Sequence, residues 1–259
     1  MILVFGGTSE TAELTLALAH SGHSVLVSTA TDVPLDSGDH PQIRRRCGRL
    51  DHGAMVELIR QQAICLVVDA GHPYAVELHA TVAAAAQQAQ VPCFCWQRRP
   101  ATIVPAAGIF FVADHREAAQ RAKKLGGNVL LTTGSRHLVE YLELLQRDQF
   151  TLYARILPHP ESAIACDRAG LPQHARIVGR GPFSVAENRA LIRSKNIAVL
   201  ISKESGTRGG VAEKINAAQQ ENCRVIIIQR PKEEAGWCQT FTALAELVAA
   251  VKINLKCKG

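Results

Sequence analysis

Aromatic side chains are scarce in this 259-residue chain, with Phe, Trp and Tyr together at 5%. A core without many rings must be filled by aliphatic groups, and Ala, Val, Leu and Ile supply them. That composition suits helices packed on parallel sheets. No apolar run reaches membrane-spanning length, and the chain enters an apolar strand at residue 2 without a basic prelude. Neither a membrane span nor a secretory leader is therefore expected. The eight cysteines (47, 65, 93, 95, 166, 223, 238 and 257) contain no C-x-x-C pair. Cys93-Phe94-Cys95 sends alternate side chains to one face of a strand, but no second ligand pair follows. No metal site is expected, and reduced thiols fit a cytoplasmic location. A block of one charge is also missing: the net charge of +6 is dispersed, and Arg44-Arg45-Arg46 is the longest basic run. Aromatics do not interleave with the basic residues, which argues against a nucleic-acid partner. Dispersed positive charge fits an anionic small molecule instead.

What the chain does have is a series of apolar runs, each closed by a polar or glycine turn. Ile2-Leu3-Val4-Phe5 reads as a strand buried on both faces, Gly6-Gly7-Thr8-Ser9-Glu10 as its turn, and Thr11–His20 as a helix. A strand, a glycine turn and a helix start form an anion site, because backbone N–H groups and the helix dipole converge there. Gly6 and Gly7 admit a phosphate without a Cβ in the way, and Thr8 or Ser9 is placed to cap the helix. The turn departs from the full G-x-G-x-x-G fingerprint. Strand two, Ser24–Ala30, ends without the carboxylate that binds an adenosine ribose in NAD-binding folds. This permits a 2′-phosphate, which Arg44–Arg46 could bind.

Ile64–Asp69 is a further buried strand, and Asp69-Ala70-Gly71-His72-Pro73-Tyr74-Ala75 follows at its carboxyl end, where open α/β sheets bind ligands. Asp69, His72 and Tyr74 each bring a polar tip to this turn, and Pro73 suits the first position of the next helix. A strand at Val91–Trp96 leads into two β-like pieces, residues 102–104 and 109–113. The domain boundary is expected there, giving domains of residues 1–113 and 114–259. A second βα series then begins, with Asp114 capping a helix and Thr132-Thr133-Gly134-Ser135 repeating the hydroxyl-plus-glycine turn. Arg155 lies near the end of a strand at Phe150–Leu157, and Arg180 precedes a turn whose Ser184 and Glu187 form a capping box. The strand Ile197–Ser202 runs into a basic glycine loop from Lys203 to Gly210. A final helix is expected over Thr240–Val251, and Lys214 is a candidate counter-charge for an anionic substrate, although inside a helix it reads better as a solvated or capping charge. The fold class is α/β: two Rossmann-like three-layer α/β/α halves, largely parallel sheets, and an active-site cleft between them.

Taken together, these turns resemble the precorrin-6A reductase family of cobalamin biosynthesis. The residues that carry the resemblance are Gly6–Glu10, Asp69–Ala75, Thr132–Ser135, Ala154-Arg155-Ile156-Leu157-Pro158, Gly181–Ser184 with Glu187 and Asn188, Lys203–Gly206 with Gly209-Gly210 and Glu213-Lys214, and Arg230-Pro231. Gly71 is a mild departure. Gly48-Arg49-Leu50-Asp51 with Met55 looks more like the cobalt-dependent branch. The resemblance implies reduction of one double bond in an anionic tetrapyrrole by NADH or NADPH, with no metal of the enzyme's own. It leaves room for contacts with other corrin-pathway enzymes.

The expected cofactor residues are Gly6, Gly7, Thr8, Ser9, Glu10, Thr132, Thr133, Gly134 and Ser135. Asp69, Arg155, Arg180, Ser205, Gly206 and Arg208 are expected at the substrate. His72, Tyr74 and Lys203 form the expected catalytic set: His72 gives the proton, Asp69 holds its imidazole and Tyr74 orients the substrate. A nucleotide-sensing module without chemistry is the competing reading, and it needs only the first turn. A short-chain dehydrogenase would need Tyr-x-x-x-Lys, and none of Tyr74, Tyr141 and Tyr153 has Lys four residues on.

Overall fold

A computed structural model describes residues 1–32, 36–145, 150–206, 209–231 and 239–256. The chain divides into two compact units, one of Met1–Arg98 with Lys232–Gly259 and one of Arg99–Pro231. In the first unit, strands β1 (Ile2–Phe5), β2 (Val25–Thr29), β3 (Ile43–Cys47), β4 (Leu66–Asp69) and β5 (Cys93–Trp96) alternate with helices α1 (Thr11–His20), α2 (His52–Gln61) and α3 (Val76–Gln88). Two elements from the end of the chain complete it, β12 (Gln239–Phe241) and α9 (Leu244–Lys256). The sheet runs β3-β2-β1-β4-β5-β12 with every pairing parallel.

The four apolar residues of β1 explain why it is central. Side chains alternate along a strand, so Ile2 and Val4 face one way and Leu3 and Phe5 the other. Ile2 and Val4 pack with Leu14 and Leu18 of α1 and with Leu247 and Val251 of α9. Leu3 and Phe5 pack with Met55 and Ile59 of α2 and with Val82 and Ala85 of α3. Each such fully buried aliphatic side chain contributes roughly 1.5–3 kcal/mol of transfer free energy.

The second unit contains β6 (Ile109–Val112), α4 (His115–Leu125), β7 (Asn128–Leu131), α5 (Leu138–Leu145), β8 (Leu152–Ile156), α6 (Pro160–Ala169), β9 (Arg176–Val178), α7 (Val185–Ser194), β10 (Ile197–Lys203), α8 (Val211–Gln220) and β11 (Arg224–Ile228). Its sheet runs β9-β8-β7-β10-β11-β6, again all parallel. In both sheets the first five strands of the βα series therefore take the 3-2-1-4-5 order of a dinucleotide-binding fold. The sixth place of the first sheet is taken by β12, and that of the second by β6. Asp114 caps α4 by accepting from the Glu117 N–H at 2.8 Å, and the Ser184–Glu187 capping box starts α7 as expected.

Three expectations about the fold need correction. The division at residue 113 fails at both ends, because β6 lies in the second sheet and the chain's last helix returns to the first unit. The apolar surface of that last segment requires the return: Phe241 meets Phe94 edge-on at 5.2 Å, and Leu247 and Val251 are core residues. The expected helix over 240–251 is a strand to Phe241 followed by a helix from Leu244, since Gln239, Thr240 and Phe241 pair with Phe94, Cys95 and Trp96. Residues 102–104 are irregular rather than β-like.

Candidate functional site

The strand order reverses direction between β1 and β4 in the first sheet and between β7 and β10 in the second. Ligands of open α/β sheets bind at the carboxyl ends of strands at such points. In the first unit the two turns singled out by sequence meet there. Phe5 and Asp69 are partners in register, and the Ala70 N–H donates to the Phe5 carbonyl at 2.9 Å.

The turn after β1 is built on glycine for two separate reasons. Gly7 has φ +128°, and a Cβ on Gly6 would stand 2.7 Å from Thr11 Cγ2. Thr11 organises the turn: its Oγ1 accepts from the N–H groups of Gly7 and Thr8, each at 3.2 Å. The expected cap by Thr8 or Ser9 does not form; the cap position is Glu10, without a side-chain cap bond. Glu10 is buried, accepts from Ser9 Oγ at 3.1 Å and pairs with Arg98 at 2.7 Å.

Next to this turn, β3 carries its arginines along the edge of β2. Arg46 Nη1 donates to Ser28 Oγ at 2.8 Å, and Arg45 Nη2 donates to Thr29 Oγ1 at 3.1 Å. Both guanidinium groups thus stand at the carboxyl end of β2, where dinucleotide folds place the adenosine ribose. Asp51 and Met55, read as marks of the cobalt branch, have folding roles. Asp51 caps α2 and Met55 is a core residue.

At the end of β4, Asp69 is fully buried and holds a different histidine from the one expected. Its Oδ1 accepts from the Gly71 N–H at 2.8 Å, and its Oδ2 lies 2.7 Å from His79 Nδ1. The other ring nitrogen of His79 lies 3.0 Å from the carbonyl oxygen of His72. Asp69 therefore orders the turn through His79, which meets the backbone carbonyl of His72. His72 Nδ1 accepts from the Tyr74 N–H at 3.4 Å, which leaves Nε2 to carry the proton of the neutral ring. The His72 and Tyr74 rings lie 5.6 Å apart. Pro73 lies ahead of α3, which starts at Val76 with Ala75 as its cap, so it is not the first helical residue.

In the second unit, the turn after β7 stands beside the end of β10. Thr132 is tied to that strand, with its N–H and its hydroxyl both donating to the Ile201 carbonyl at 2.9 and 2.8 Å. Thr133 Oγ1 is buried without a protein partner, and Gly134 has φ +86° with open space at its Cβ position. Lys203 ends β10, and burial, aided by the Arg136 charge, lowers its amine to about 8. His115 is 8% exposed, stacks on His137 at 3.8 Å and meets Tyr141 Oη at 2.9 Å through Nδ1. Burial, then the charges of His137 and Lys203, lower His115 to about 3, so it is neutral at working pH.

The loop after Lys203 is fixed by Glu204, whose Oε1 accepts from the N–H groups of Gly206 at 3.0 Å and Ala101 at 2.8 Å. Glu204 also pairs with Arg230. Gly206 has φ +81°, and Ser205 Oγ donates to the Gly209 carbonyl at 3.3 Å. Arg155 reaches the same sheet end from β8, whereas Arg180 is exposed ahead of α7. Arg208 lies outside the described residues. Sequence reasoning missed Thr11, His79, Arg98 and His115. A Thr one residue into a helix and a His one turn into another are the only marks they leave.

Among the described residues no group of three or more His, Cys, Asp or Glu could hold a metal ion, and no helix is long and apolar enough to cross a membrane. Residues 1–252 match the family model described as precorrin-6x reductase CbiJ/CobK. The cobalt-precorrin-6A reductase of Priestia megaterium is 31% identical over 97% of this chain and 98% of its own length. The precorrin-6A reductase of Rhodococcus erythropolis is 32% identical over 89% of each chain. A solved structure named CobK precorrin-6A reductase superposes with a TM-score of 0.79 at 26% identity, covering 98% of this chain and 96% of the other.

Proposed function

This chain belongs to the precorrin-6x reductase family, and from that premise we propose that it reduces its tetrapyrrole with hydride from NADPH or NADH. It is an oxidoreductase of cobalamin biosynthesis, acting on a carbon–carbon double bond of precorrin-6A or its cobalt complex. The observation that carries the cofactor reading is the junction of the Gly6-Gly7 turn with the Asp69–Tyr74 turn on adjacent parallel strands. The residues present fit a nicotinamide dinucleotide. The Gly6 position has no room for a Cβ, Gly7 needs positive φ, and Arg45 and Arg46 stand where a 2′-phosphate would lie. These arginines favour NADPH over NADH. The nicotinamide, when bound, supplies the hydride.

The chain's own residues then have to bind polycarboxylate, orient it and deliver a proton to the carbon partnered with the reduced one. His72 is the proton donor in this reading: as the imidazolium it gives one ring proton to the macrocycle and returns to the neutral ring whose Nδ1 accepts from the Tyr74 N–H. Asp69 and His79 hold the turn by its backbone, and Tyr74 orients the substrate beside the imidazole. Lys203 contributes positive charge for a substrate carboxylate, and Arg180 and Arg208 are offered for the same task. Thr133, Gly134 and Ser135 form a second polar turn for the dinucleotide. We place the enzyme in the cytoplasm, where thiols such as Cys47, Cys65, Cys166 and Cys223 stay reduced.

Anaerobic incubation with NADPH or NADH and metal-free or cobalt-loaded precorrin-6A, followed at both chromophores, tests the assignment. Loss of the reduced nicotinamide in step with the macrocycle change is expected, faster with NADPH. A macrocycle spectrum that stays constant with either nucleotide contradicts it. In single turnover with nucleotide pre-bound, His72→Ala is expected to slow the step by roughly 10²–10⁴. An unchanged rate at saturation would assign the proton to water.

A further inference from the structure

Of the two readings the sequence leaves for Lys214, a substrate counter-charge or a helical surface charge, the fold favours the first, because its ammonium stands in a desolvated corner with a second cation. Its Nζ donates only to neutral acceptors, the Gly209 carbonyl at 3.2 Å and Ser202 Oγ at 3.4 Å. The second cation is Arg155, 8% exposed at the end of β8. Arg155 Nη1 donates to Asn188 Oδ1 at 2.8 Å, its guanidinium carbon lies 4.0 Å over the Phe183 ring, and its Nε is buried with no partner. Asn188 is itself fixed, donating its amide to the Ser184 carbonyl at 2.8 Å and the Phe183 carbonyl at 3.2 Å.

Neither cation has a carboxylate within ion-pair distance among the described residues. Glu187 acts on Arg155 from farther off, but its carboxylate is occupied by the capping box with the Ser184 N–H and hydroxyl. Glu213 follows Gly210 into α8, and its Oε2 is buried without a partner. Burial, and after it the Arg155 charge, lower the Lys214 amine to about 8 against the opposing effect of Glu213. Burying one unpaired cation is costly, and burying two that repel each other is more so. Such an arrangement is kept where an anion completes it. A guanidinium fork with spare donors beside a point-charge ammonium matches the oxygens of a carboxylate or phosphate.

We propose that Arg155 and Lys214 form one buried seat for an oxyanion of a bound ligand, either a tetrapyrrole carboxylate or a nucleotide phosphate. The seat lies at the carboxyl ends of β8 and β10, beside the switch point between β7 and β10. Asn188 and the Phe183 ring aim the guanidinium, and Ser202 with the Gly209 carbonyl aims the ammonium. The choice between the two ligands rests on the reductase reading. The seat itself rests on the unpaired cations.

Calorimetric titration of the whole chain with NADP⁺ and, separately, with uroporphyrin III tests the proposal, in two pH 8 buffers of different ionisation heat. An oxyanion landing beside Lys214 raises its amine, so wild-type protein should take up on the order of half a proton as that ligand binds. Lys214→Met and Arg155→Met should each weaken the same ligand roughly 10- to 100-fold, the range for losing a charge-assisted hydrogen bond. Lys214→Met should also abolish the uptake. Loss confined to NADP⁺ identifies a phosphate, and loss confined to uroporphyrin III identifies a carboxylate. Removing one of two repelling cations should leave the ligand-free melting temperature equal or higher. Both variants binding both ligands within twofold of wild type overturns the seat, as does a ligand-free Lys214→Met that melts well below wild type. Absence of precorrin-6A turnover alongside the affinity losses would overturn the reductase reading and leave the seat standing.

Discussion

Asp69 and His79 form a buried pair, Oδ2 to Nδ1 at 2.7 Å, that ties the end of β4 to the first turn of α3. Because the other imidazole nitrogen meets the His72 carbonyl, the pair holds the turn carrying His72 and Tyr74 by its backbone. His79→Ala leaves a buried carboxylate with the Gly71 N–H as its remaining donor among the described residues. Removing one partner of a buried pair costs about 3–5 kcal/mol. A drop of that order in the denaturant midpoint analysis is expected, with slower turnover in the folded fraction. A variant as stable and as active as wild type would detach the pair from the site.

Gly6→Ala addresses the first turn. The new Cβ would stand 2.7 Å from Thr11 Cγ2 and 3.3 Å from Val27 Cγ1, so Thr11 must move. Its Oγ1 is the acceptor for the Gly7 and Thr8 N–H groups, and the turn shifts with it. Nucleotide affinity measured by calorimetry should fall at least tenfold while the helical content is retained. Wild-type affinity would place the dinucleotide elsewhere.

Lys203 gives the reaction a basic limb. Burial, with Arg136, sets its amine at about 8, below the ordinary 10.5. If its charge holds substrate, kcat/KM should fall as pH rises through about 8. Stability runs the other way. The unfolded state binds the extra proton between about 8 and 10.5, so stability rises with pH across that window. Lys203→Met should remove the kinetic limb. A limb that persists in the variant assigns the titration to another group.

His115 gives stability an acid limb. The folded ring titrates at about 3 and the unfolded one at 6.5, so the unfolded state holds more protons between those values. Stability is full above 6.5 and is lost as pH falls below it, by up to about 1.4 kcal/mol per pH unit from this group. Urea titrations at pH 7, 6, 5 and 4 measure the slope, and His115→Phe should flatten it. Equal slopes in the two proteins would contradict the burial of a neutral imidazole.

The parts of this fold legible in the sequence are those set by local pattern. Ile2–Phe5 announces a two-sided strand because all four residues are apolar, and Ser184 with Glu187 announces a helix start because the capping box is local. The turns at Gly6, Asp69, Thr132 and Lys203 could be placed at strand ends for the same reason. Relationships made by folding were not legible. Phe241 and Val251 look like any helical apolar residues until their return to the first sheet makes them core. His79 has no sequence mark as the partner of Asp69, and Lys214 has none as a half-buried cation beside Arg155. Thr11 also stood outside the expected turn, although its hydroxyl is what organises it.

In the proposed reaction, hydride passes from a nicotinamide to the macrocycle on this chain. Incubating the enzyme anaerobically with precorrin-6A and NADPH stereospecifically deuterated at C4, then weighing the reduced macrocycle, tests it most directly. One C4 diastereomer of the nucleotide should give a product one mass unit heavier than that made with unlabelled NADPH, and the other diastereomer an unshifted product. A reduced macrocycle that carries no deuterium from either diastereomer would contradict the claim.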